Sequence, residues 1–281
     1  MNRTAADNTG EVVALEPAYA LVEFRDVAKH FVVGGALHPA IEGVNLRVRR
    51  GEIVTLVGPS GCGKSTLLNM TAGLFGPTRG KVLYRGAEVT GLNHSVGYMT
   101  QQDHLLPWRT VLENIALPLE LRGEPADRRL ARVTELIGLV GLDGFERHYP
   151  AQISGGMRKR CALARLLAYD PETLLMDEPF AALDAQLRLG LQIELLRLVR
   201  ELGKTVLFVT HDLDEAIALA DRCVVFQGRP GRIVETLEVD LPAERDLMTL
   251  RFDARYVRLT QSLWRIMAPD LIRATGARQA G

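Results

Sequence analysis

The sequence has few cysteines and no long hydrophobic run. Its three cysteines are Cys62, Cys161 and Cys223, which lie far apart with no C-x-x-C pair. This spacing argues against a disulfide or zinc framework and indicates reduced thiols in a cytoplasmic protein. No stretch approaches the roughly 18 uncharged apolar residues that a membrane span requires. The polar N-terminus also lacks the apolar core of a secretory signal.

The chain also has no excess of either charge. Lys+Arg and Asp+Glu number 34 each, so the formal net charge is zero, which argues against a dedicated nucleic-acid surface. The length of 281 residues suits one large α/β domain with a small addition. We expect a disordered tail over residues 1–20, a main domain over 21–240 and a small C-terminal appendage over 241–281.

A glycine-rich loop follows a short uncharged run, residues 53–57, that is typical of a strand buried on both faces. The loop fits G-x-x-x-x-G-K-[ST] without a mismatch, and its residues are Gly58, Pro59, Ser60, Gly61, Cys62, Gly63, Lys64 and Ser65. The glycines allow successive N–H groups to face phosphate oxygens, and the helix that begins near Thr66 adds partial positive charge. Lys64 is expected to reach the β- and γ-phosphates, and Ser65 to offer its hydroxyl to Mg²⁺. A plain turn with a solvated Lys64 is the alternative, but the strand–loop–helix context favours a nucleoside triphosphate site.

Two acids, Asp177 and Glu178, end a second apolar run that starts at residue 173. Acids beside a buried strand are costly without a partner, which disfavours a simple acidic turn. Next to a P-loop, Asp177 suits Mg²⁺, and Glu178 suits orienting or deprotonating a water. His211 follows a third apolar run, 205–209, and either contacts a γ-phosphate or is structural.

The region between these motifs is predicted to be helical, over about 110–168, so we expect a helical insertion over about 103–168. Thr110 and Glu113 have the spacing of a capping box. Before it, Gln101 ends a strand, and the apolar run 105–108 includes a tryptophan that we expect to be exposed.

A second loop with anion-binding potential precedes the last helix of this insertion. Ser154 is a suitable N-cap, and Gly155 and Gly156 leave backbone N–H groups exposed. The next three residues are cations, Arg158, Lys159 and Arg160. Cations in the first turns oppose the helix dipole, so this placement is unfavourable unless an anion docks there or solvent screens it.

Taken in order, these motifs resemble the ATP-binding cassette (ABC) ATPases over residues 21–235. The motifs are the P-loop, Gln101, the Ser154-Gly155-Gly156 turn, Asp177-Glu178, Ala182-Leu183-Asp184 and His211. The resemblance implies an α/β fold: a RecA-like P-loop NTPase core with an antiparallel β part at the N-terminus and an inserted helical subdomain. The run 105–108 and the short C-terminus look like the nitrate/sulfonate/taurine branch of bacterial importers.

The resemblance also implies roles for individual residues, with ATP and Mg²⁺ as cofactors. Phe31 matches the aromatic that stacks on adenine, although by itself it suits a core position closing the strand 21–27. Glu178 matches the general base, His211 the switch histidine, and Gln101 a residue that touches Mg²⁺ and links to the membrane partner. Residues that would bind the nucleotide are Gly58 to Thr66, Ser154, Gly155, Gly156 and Asp184; those that would hold the metal are Ser65, Gln101 and Asp177.

The signature turn departs from the family pattern, Leu-Ser-Gly-Gly-Gln, at Ile153 and Met157. Ile153 preserves an apolar contact, whereas Met157 removes an amide donor and acceptor. We expect activity to survive, because the serine and the glycine amides remain. A non-hydrolytic regulatory subunit is the alternative that Met157 suggests. If the Cys62 thiol in the P-loop is accessible, its alkylation should block ATP binding.

In this family the signature contacts ATP that is held by the opposite subunit, so two chains would enclose two ATP molecules. The implied partners are a second ATP-binding subunit forming a homodimer, two transmembrane permease subunits and, indirectly, a periplasmic solute-binding protein, with no nucleic acid. The implied location is peripheral, at the cytoplasmic face of the cell membrane. A soluble ABC ATPase acting on nucleic acid or ribosomes is the second hypothesis, and the neutral charge counts against it.

Overall fold

The computed structural model describes residues 20–181 and 183–276. The tail predicted for residues 1–20 lies outside the described residues except for residue 20, as do residues 277–281 of the predicted appendage. The strands are β1 (Ala20–Val33), β2 (Ala36–Arg49), β3 (Ile53–Val57), β4 (Arg79–Tyr84), β5 (Ala87–Glu88), β6 (Val96–Met99), β7 (Thr173–Asp177), β8 (Thr205–Thr210), β9 (Arg222–Gln227) and β10 (Arg232–Glu238). The helices are α1 (Lys64–Thr71), α2 (Val111–Leu121), α3 (Ala126–Leu139), α4 (Gly155–Ala168), α5 (Ala185–Glu201), α6 (Leu213–Leu219) and α7 (Ala254–Gly276).

The core is a six-stranded sheet in the order β10-β9-β3-β8-β7-β6. All neighbours are parallel except β10 and β9. Every residue of β3 and β8 is buried, which explains their uncharged sequences. Because parallel strands end at the same edge of a sheet, the segments after β3, β6, β7 and β8 meet there. These are the segments that carry the P-loop, Gln101, Asp177-Glu178 and His211.

A second, antiparallel sheet of order β2-β1-β4-β5 covers one face of the core. Its apolar face and the facing side of the central strands form one cluster, which includes Phe24, Leu56 and Phe226. The β1–β2 hairpin is longer than the sequence predicted, so Phe31 lies inside β1, paired with His38, rather than after the strand.

The inserted helices α2, α3 and α4 lie between β6 and β7 in the sequence. The capping box is confirmed: the Thr110 N–H donates to Glu113 Oε2 at 2.8 Å, and the Glu113 N–H donates to Thr110 Oγ1 at 3.3 Å. The prediction that residues 110–168 are helical throughout is wrong for residues 122–125, between α2 and α3. It is also wrong for residues 140–154, where only a 3₁₀ turn, Pro150–Gln152, forms. Gly141, at φ 63°, supplies the left-handed residue that commonly ends a helix.

The C-terminal helix α7 packs against the core rather than standing apart from it. Leu263 is fully buried, and Tyr256 Oη donates to Asp214 Oδ1 of α6 at 3.1 Å. Between residues 20 and 276, apart from residue 182, no helix combines the length and the apolar character needed to cross a membrane.

Candidate functional site

The loop between β3 and α1 has the geometry of an anion cradle. The N–H groups of Gly61, Gly63, Lys64 and Ser65 donate to no other group among the described residues. The Lys64 side chain is 5% exposed, and its ammonium donates to Gly58 O at 2.8 Å and Pro59 O at 3.0 Å. Unpaired N–H groups and a cation within one turn form a site for phosphate oxygens.

Close packing behind the loop requires glycine at position 63. Its φ is +89°, and a Cβ there would lie 2.3 Å from Ile41 Cγ2 and 2.8 Å from the Ala40 carbonyl oxygen. Ala40 and Ile41 of β2 therefore support the P-loop, and a side chain at position 63 would displace the loop.

Asp177 lies at the end of β7, next to the first turn of α1. Ser65 Oγ donates to Asp177 Oδ1 at 2.9 Å. Burial raises the pKa of the Asp177 carboxyl above its ordinary value, whereas the Ser65 hydrogen bond lowers it and the Glu178 charge raises it. Tyr98 of β6 also lies beside this carboxyl, and burial raises the pKa of its phenol. Sequence reasoning did not identify Tyr98, since the whole helical insertion separates it from Asp177.

Glu178 has a left-handed backbone conformation, φ 48°, which is uncommon for a residue other than glycine. Its N–H donates to Val209 O of β8 at 3.0 Å, and its Oε2 lies 3.1 Å from His211 Nδ1. Strained backbone of this kind concentrates at functional sites. In this conformation the Glu178 carboxylate lies within hydrogen-bonding distance of His211.

A cavity of about 430 Å³ joins these groups at the carboxyl edge of the sheet. Its lining residues are Ser65, Thr100, Gln101, Gln102, His104, Asp177 and Glu178. Hydroxyl, amide and carboxylate oxygens are the ligands that Mg²⁺ prefers, so this donor set fits that ion. No group of three or more His, Cys, Asp or Glu side chains in the described residues could hold a metal. Phosphate oxygens would therefore have to complete its coordination.

Of the predicted site residues, only Ser65, Gln101, Asp177 and Glu178 line this cavity. Some of the others also lie outside the P-loop. Ser154 is exposed at the N-terminus of α4, where its Oγ accepts the Met157 N–H at 3.2 Å. Asp184 caps α5 by accepting the Leu187 N–H at 3.0 Å. Gly155 is half-buried, and the Phe31 ring meets that of Phe75 edge-on with centroids 5.4 Å apart. Residue 182, beside Asp184, lies outside the described residues.

The signature turn rests on α5. A Cβ on Gly156, which is buried, would lie 2.4 Å from Leu187 Cδ1, so glycine allows α4 to approach α5 closely. Met157 packs against the apolar core of the helical region, and Ile153 is 6% exposed. The two departures from the family pattern therefore contribute apolar packing.

The three cations after the signature turn have protein partners, which sequence reasoning missed. Lys159 is 6% exposed and donates to the backbone oxygen of Gln101. Arg158 donates to Ile153 O at 2.9 Å, and Arg160 donates to Val140 O at 3.0 Å. Carbonyl groups of the helical region thus compensate these charges. Two carboxylates also take part: Asp103 lies 3.4 Å from Arg158, and Glu194 lies 3.3 Å from Arg160. Most of these partners are tens of residues away in the sequence, so the local pattern does not reveal them.

We expect the native protein to show no fast-reacting thiol. All three cysteines are buried, and burial raises the pKa of the Cys62 thiol, so little reactive thiolate forms at neutral pH. Titration with a thiol-specific disulfide reagent should detect three thiols in denaturant and none within minutes in the native state. One rapidly reacting native thiol that ATP protects would show that the P-loop opens more than this structure indicates.

The parallel sheet, the cradle after β3 and the acids after β7 define a P-loop ATPase. Residues 41–181 match the profile of the ABC transporter family. Over 231 residues the chain is 50% identical to an ABC transporter ATP-binding protein of Methanocaldococcus jannaschii named as uncharacterized, covering 82% of this chain and 86% of that protein. It is 46% identical over 217 residues to the aliphatic sulfonates import ATP-binding protein SsuB of Bacillus licheniformis, covering 77% and 84%.

A solved structure also matches this chain and is an ATP-binding cassette. A dimeric ATP-binding cassette in a post-hydrolysis state, bound to ADP and Pi, matches with a TM-score of 0.69 and 33% identity. The match covers 79% of this chain and 100% of that chain. The chain therefore belongs to the ABC transporter family. It is an ATP-binding subunit and an ABC-type ATPase, which confirms the family and the fold predicted from the sequence.

Proposed function

We propose that this chain is the ATP-hydrolysing subunit of an importer for nitrate, a sulfonate, taurine or a similar small solute. It acts at the cytoplasmic face of the cell membrane with a second copy of itself, two transmembrane permease subunits and, through them, a periplasmic solute-binding protein. The name of the Bacillus licheniformis relative supports the solute class. One observation carries the proposal: the catalytic cavity and an apolar groove on the surface have three lining residues in common, Thr100, Gln102 and His104. A partner bound in the groove would therefore contact residues of the catalytic cavity.

Binding of ATP uses the cradle and its lysine. The unpaired N–H groups of the loop donate to phosphate oxygens, and Lys64 exchanges its carbonyl acceptors for β- and γ-phosphate oxygens. The residues that would hold Mg²⁺ are Ser65, Asp177 and Gln101, and the ion would supply neutralisation of the charge on the phosphates. A bound cation would also offset the cost of burying the ionised Asp177 carboxylate.

Hydrolysis uses Glu178 as the general base. Its carboxylate faces the cavity and takes a proton from the attacking water. His211, 3.1 Å from that carboxylate, orients it and contacts the γ-phosphate. The strained backbone of Glu178 limits the directions from which its carboxylate can reach the attacking water, which favours a preorganised site.

The second copy completes the site. Ser154 and Gly155 present a helix N-terminus on the surface, away from the cavity of their own chain. Two chains around a two-fold axis place this turn, with Asp184, against the ATP of the partner, while Phe31 stacks on adenine. Loss of the γ-phosphate then loosens the contact between the copies.

The groove beside Gln101 is the proposed docking place for a permease helix. It has a volume of about 340 Å³, and its apolar lining includes Leu117, Pro118, Leu121 and Leu166. Leu121 is 81% exposed, and the Arg122 guanidinium lies 3.8 Å from the centroid of the Tyr169 ring at the same edge. An exposed apolar surface with a polar rim suits the apolar face of a partner helix.

Leu121→Asp is expected to weaken association with the permease subunits by at least about tenfold, because it places a charge in an apolar contact. Intrinsic ATPase activity should not change, since Leu121 does not line the catalytic cavity. The measurement is co-purification with the co-expressed permease in detergent. Leu130→Asp is the matched control, because Leu130 is also exposed, at 55%, and does not line the groove. Wild-type protein that never binds a polytopic membrane protein would contradict the importer function.

A further inference from the structure

The turn between β9 and β10, residues 228–231, lies against the outer side of the P-loop. Gly231 is anchored to β2: its N–H donates to Ala40 O at 2.9 Å, and its carbonyl oxygen accepts the Glu42 N–H at 3.0 Å. A Cβ on Gly231 would lie 1.8 Å from the Cys62 carbonyl oxygen, so only glycine permits this approach. The turn is therefore held in register with both β2 and the P-loop.

Arg229 reaches from this turn to the loop. Its Nη2 donates to the Ser60 carbonyl oxygen at 2.8 Å. The guanidinium also lies against Gly61, since a Cβ there would be 3.2 Å from Arg229 Nη2 and 3.5 Å from Cζ. A charge-assisted hydrogen bond to a carbonyl is stronger than a neutral one and has a defined direction.

This contact fixes the orientation of one peptide unit. In a trans peptide the C=O and the following N–H lie in one plane and point in opposite directions. Holding the Ser60 carbonyl toward the turn therefore directs the Gly61 N–H away from it. That N–H has no partner among the described residues and belongs to the anion cradle.

We infer that Arg229 is a positioning residue for phosphate binding, acting through the Ser60–Gly61 peptide without touching the nucleotide. The inference rests on the P-loop role proposed above. Lys64 holds the Gly58 and Pro59 carbonyls from inside the loop, and Arg229 holds the next carbonyl from outside. Before ATP binds, the two cations together hold three successive peptide units. When Lys64 turns to the phosphates, the Arg229 contact still holds the Ser60–Gly61 peptide.

The test compares nucleotides that differ in phosphate number. Arg229→Met is expected to weaken ADP binding, and ATP binding in a Glu178→Gln background, by about tenfold, because a charge-assisted hydrogen bond is lost. AMP binding, which makes least use of the loop, should change less than twofold. Arg229→Lys should recover most of the affinity, since an ammonium can donate to the same carbonyl. Affinities are measured by competition with a fluorescent nucleotide, and melting temperature is followed for each variant.

Arg232→Met is the matched control, because it removes the same charge from the same hairpin three residues away. Equal losses in the Arg229 and Arg232 variants that disappear in high salt would indicate diffuse charge and overturn the inference. A lower melting temperature with equal losses for AMP and ADP would assign Arg229 a purely structural role and also overturn it. Unchanged ADP affinity in Arg229→Met refutes the inference alone, whereas wild-type protein that does not bind ATP refutes the proposed P-loop role.

Discussion

Replacing Glu178 with glutamine is expected to reduce ATP turnover by about 10²- to 10⁴-fold, the range for loss of a general base. Glutamine preserves size and hydrogen bonding but cannot accept the proton of the attacking water. The residue is part of the cavity wall and contacts His211, so the change leaves the P-loop and its lysine untouched. Phosphate release under saturating Mg-ATP measures the effect, and ATP affinity should stay within about threefold of wild type.

The same variant should accumulate as an ATP-dependent dimer. If the γ-phosphate is held from both sides, blocking its hydrolysis keeps the two chains together, and sedimentation with ATP should show a dimer that ADP does not support. Glu238→Gln, an exposed change at the end of β10, is the control and should match wild type. Turnover that persists in Glu178→Gln would assign the proton transfer to another group. Wild-type protein without any turnover would favour the regulatory-subunit hypothesis that Met157 suggested.

The P-loop and the strand-end acids were predictable because each depends on contiguous sequence. A buried strand followed by the G-x-x-x-x-G-K-[ST] loop commonly folds as a phosphate-binding loop that leads into a helix. Parallel strands bring Asp177 and His211 to the same edge of the sheet. The end of α3 was predictable in principle from Gly141, but the surrounding apolar pattern obscured it. Helical periodicity alone does not distinguish a helix from a well-packed irregular segment.

The hydrogen bonds that hold the site segments in place were not predictable from the sequence. Lys159 donates to the Gln101 backbone, Arg188 donates to Asp212 at 3.0 Å and to Leu183 O at 2.9 Å, and Arg229 donates to Ser60 O. The acceptors are mostly main-chain oxygens, which carry no residue identity. Partners separated by tens of residues meet only when the tertiary fold is known. Arg188 is notable because it links the segment before α5 to the residue after His211.

Because the signature turn lies away from the catalytic cavity of its own chain, we expect a second large effect, which is recovery of ATP turnover when two inactive variants are mixed. Lys64→Ala and Ser154→Arg should each lower turnover by about 100-fold or more, the first by removing a phosphate ligand and the second by blocking an exposed contact. An equimolar mixture of the two variants should recover activity. About half of the randomly paired dimers are mixed, and one of their two sites then combines an intact P-loop with an intact signature. We therefore expect about a quarter of wild-type turnover, measured after co-refolding or subunit exchange.

The recovered activity distinguishes two arrangements that the single variants cannot separate. If the Ser154 turn served the ATP of its own chain, every chain in the mixture would carry one defect, and turnover would remain at the sum of the separate variants. Mixing Lys64→Ala with Glu178→Gln is the matched control, because both residues lie on the P-loop side of one chain and no intact site can form. Ser154 also caps α4, so the melting temperature of Ser154→Arg must show that the helix persists; loss of an N-cap costs about 1 kcal/mol. Recovery in the first mixture but not in the second requires a site shared between two copies of the chain.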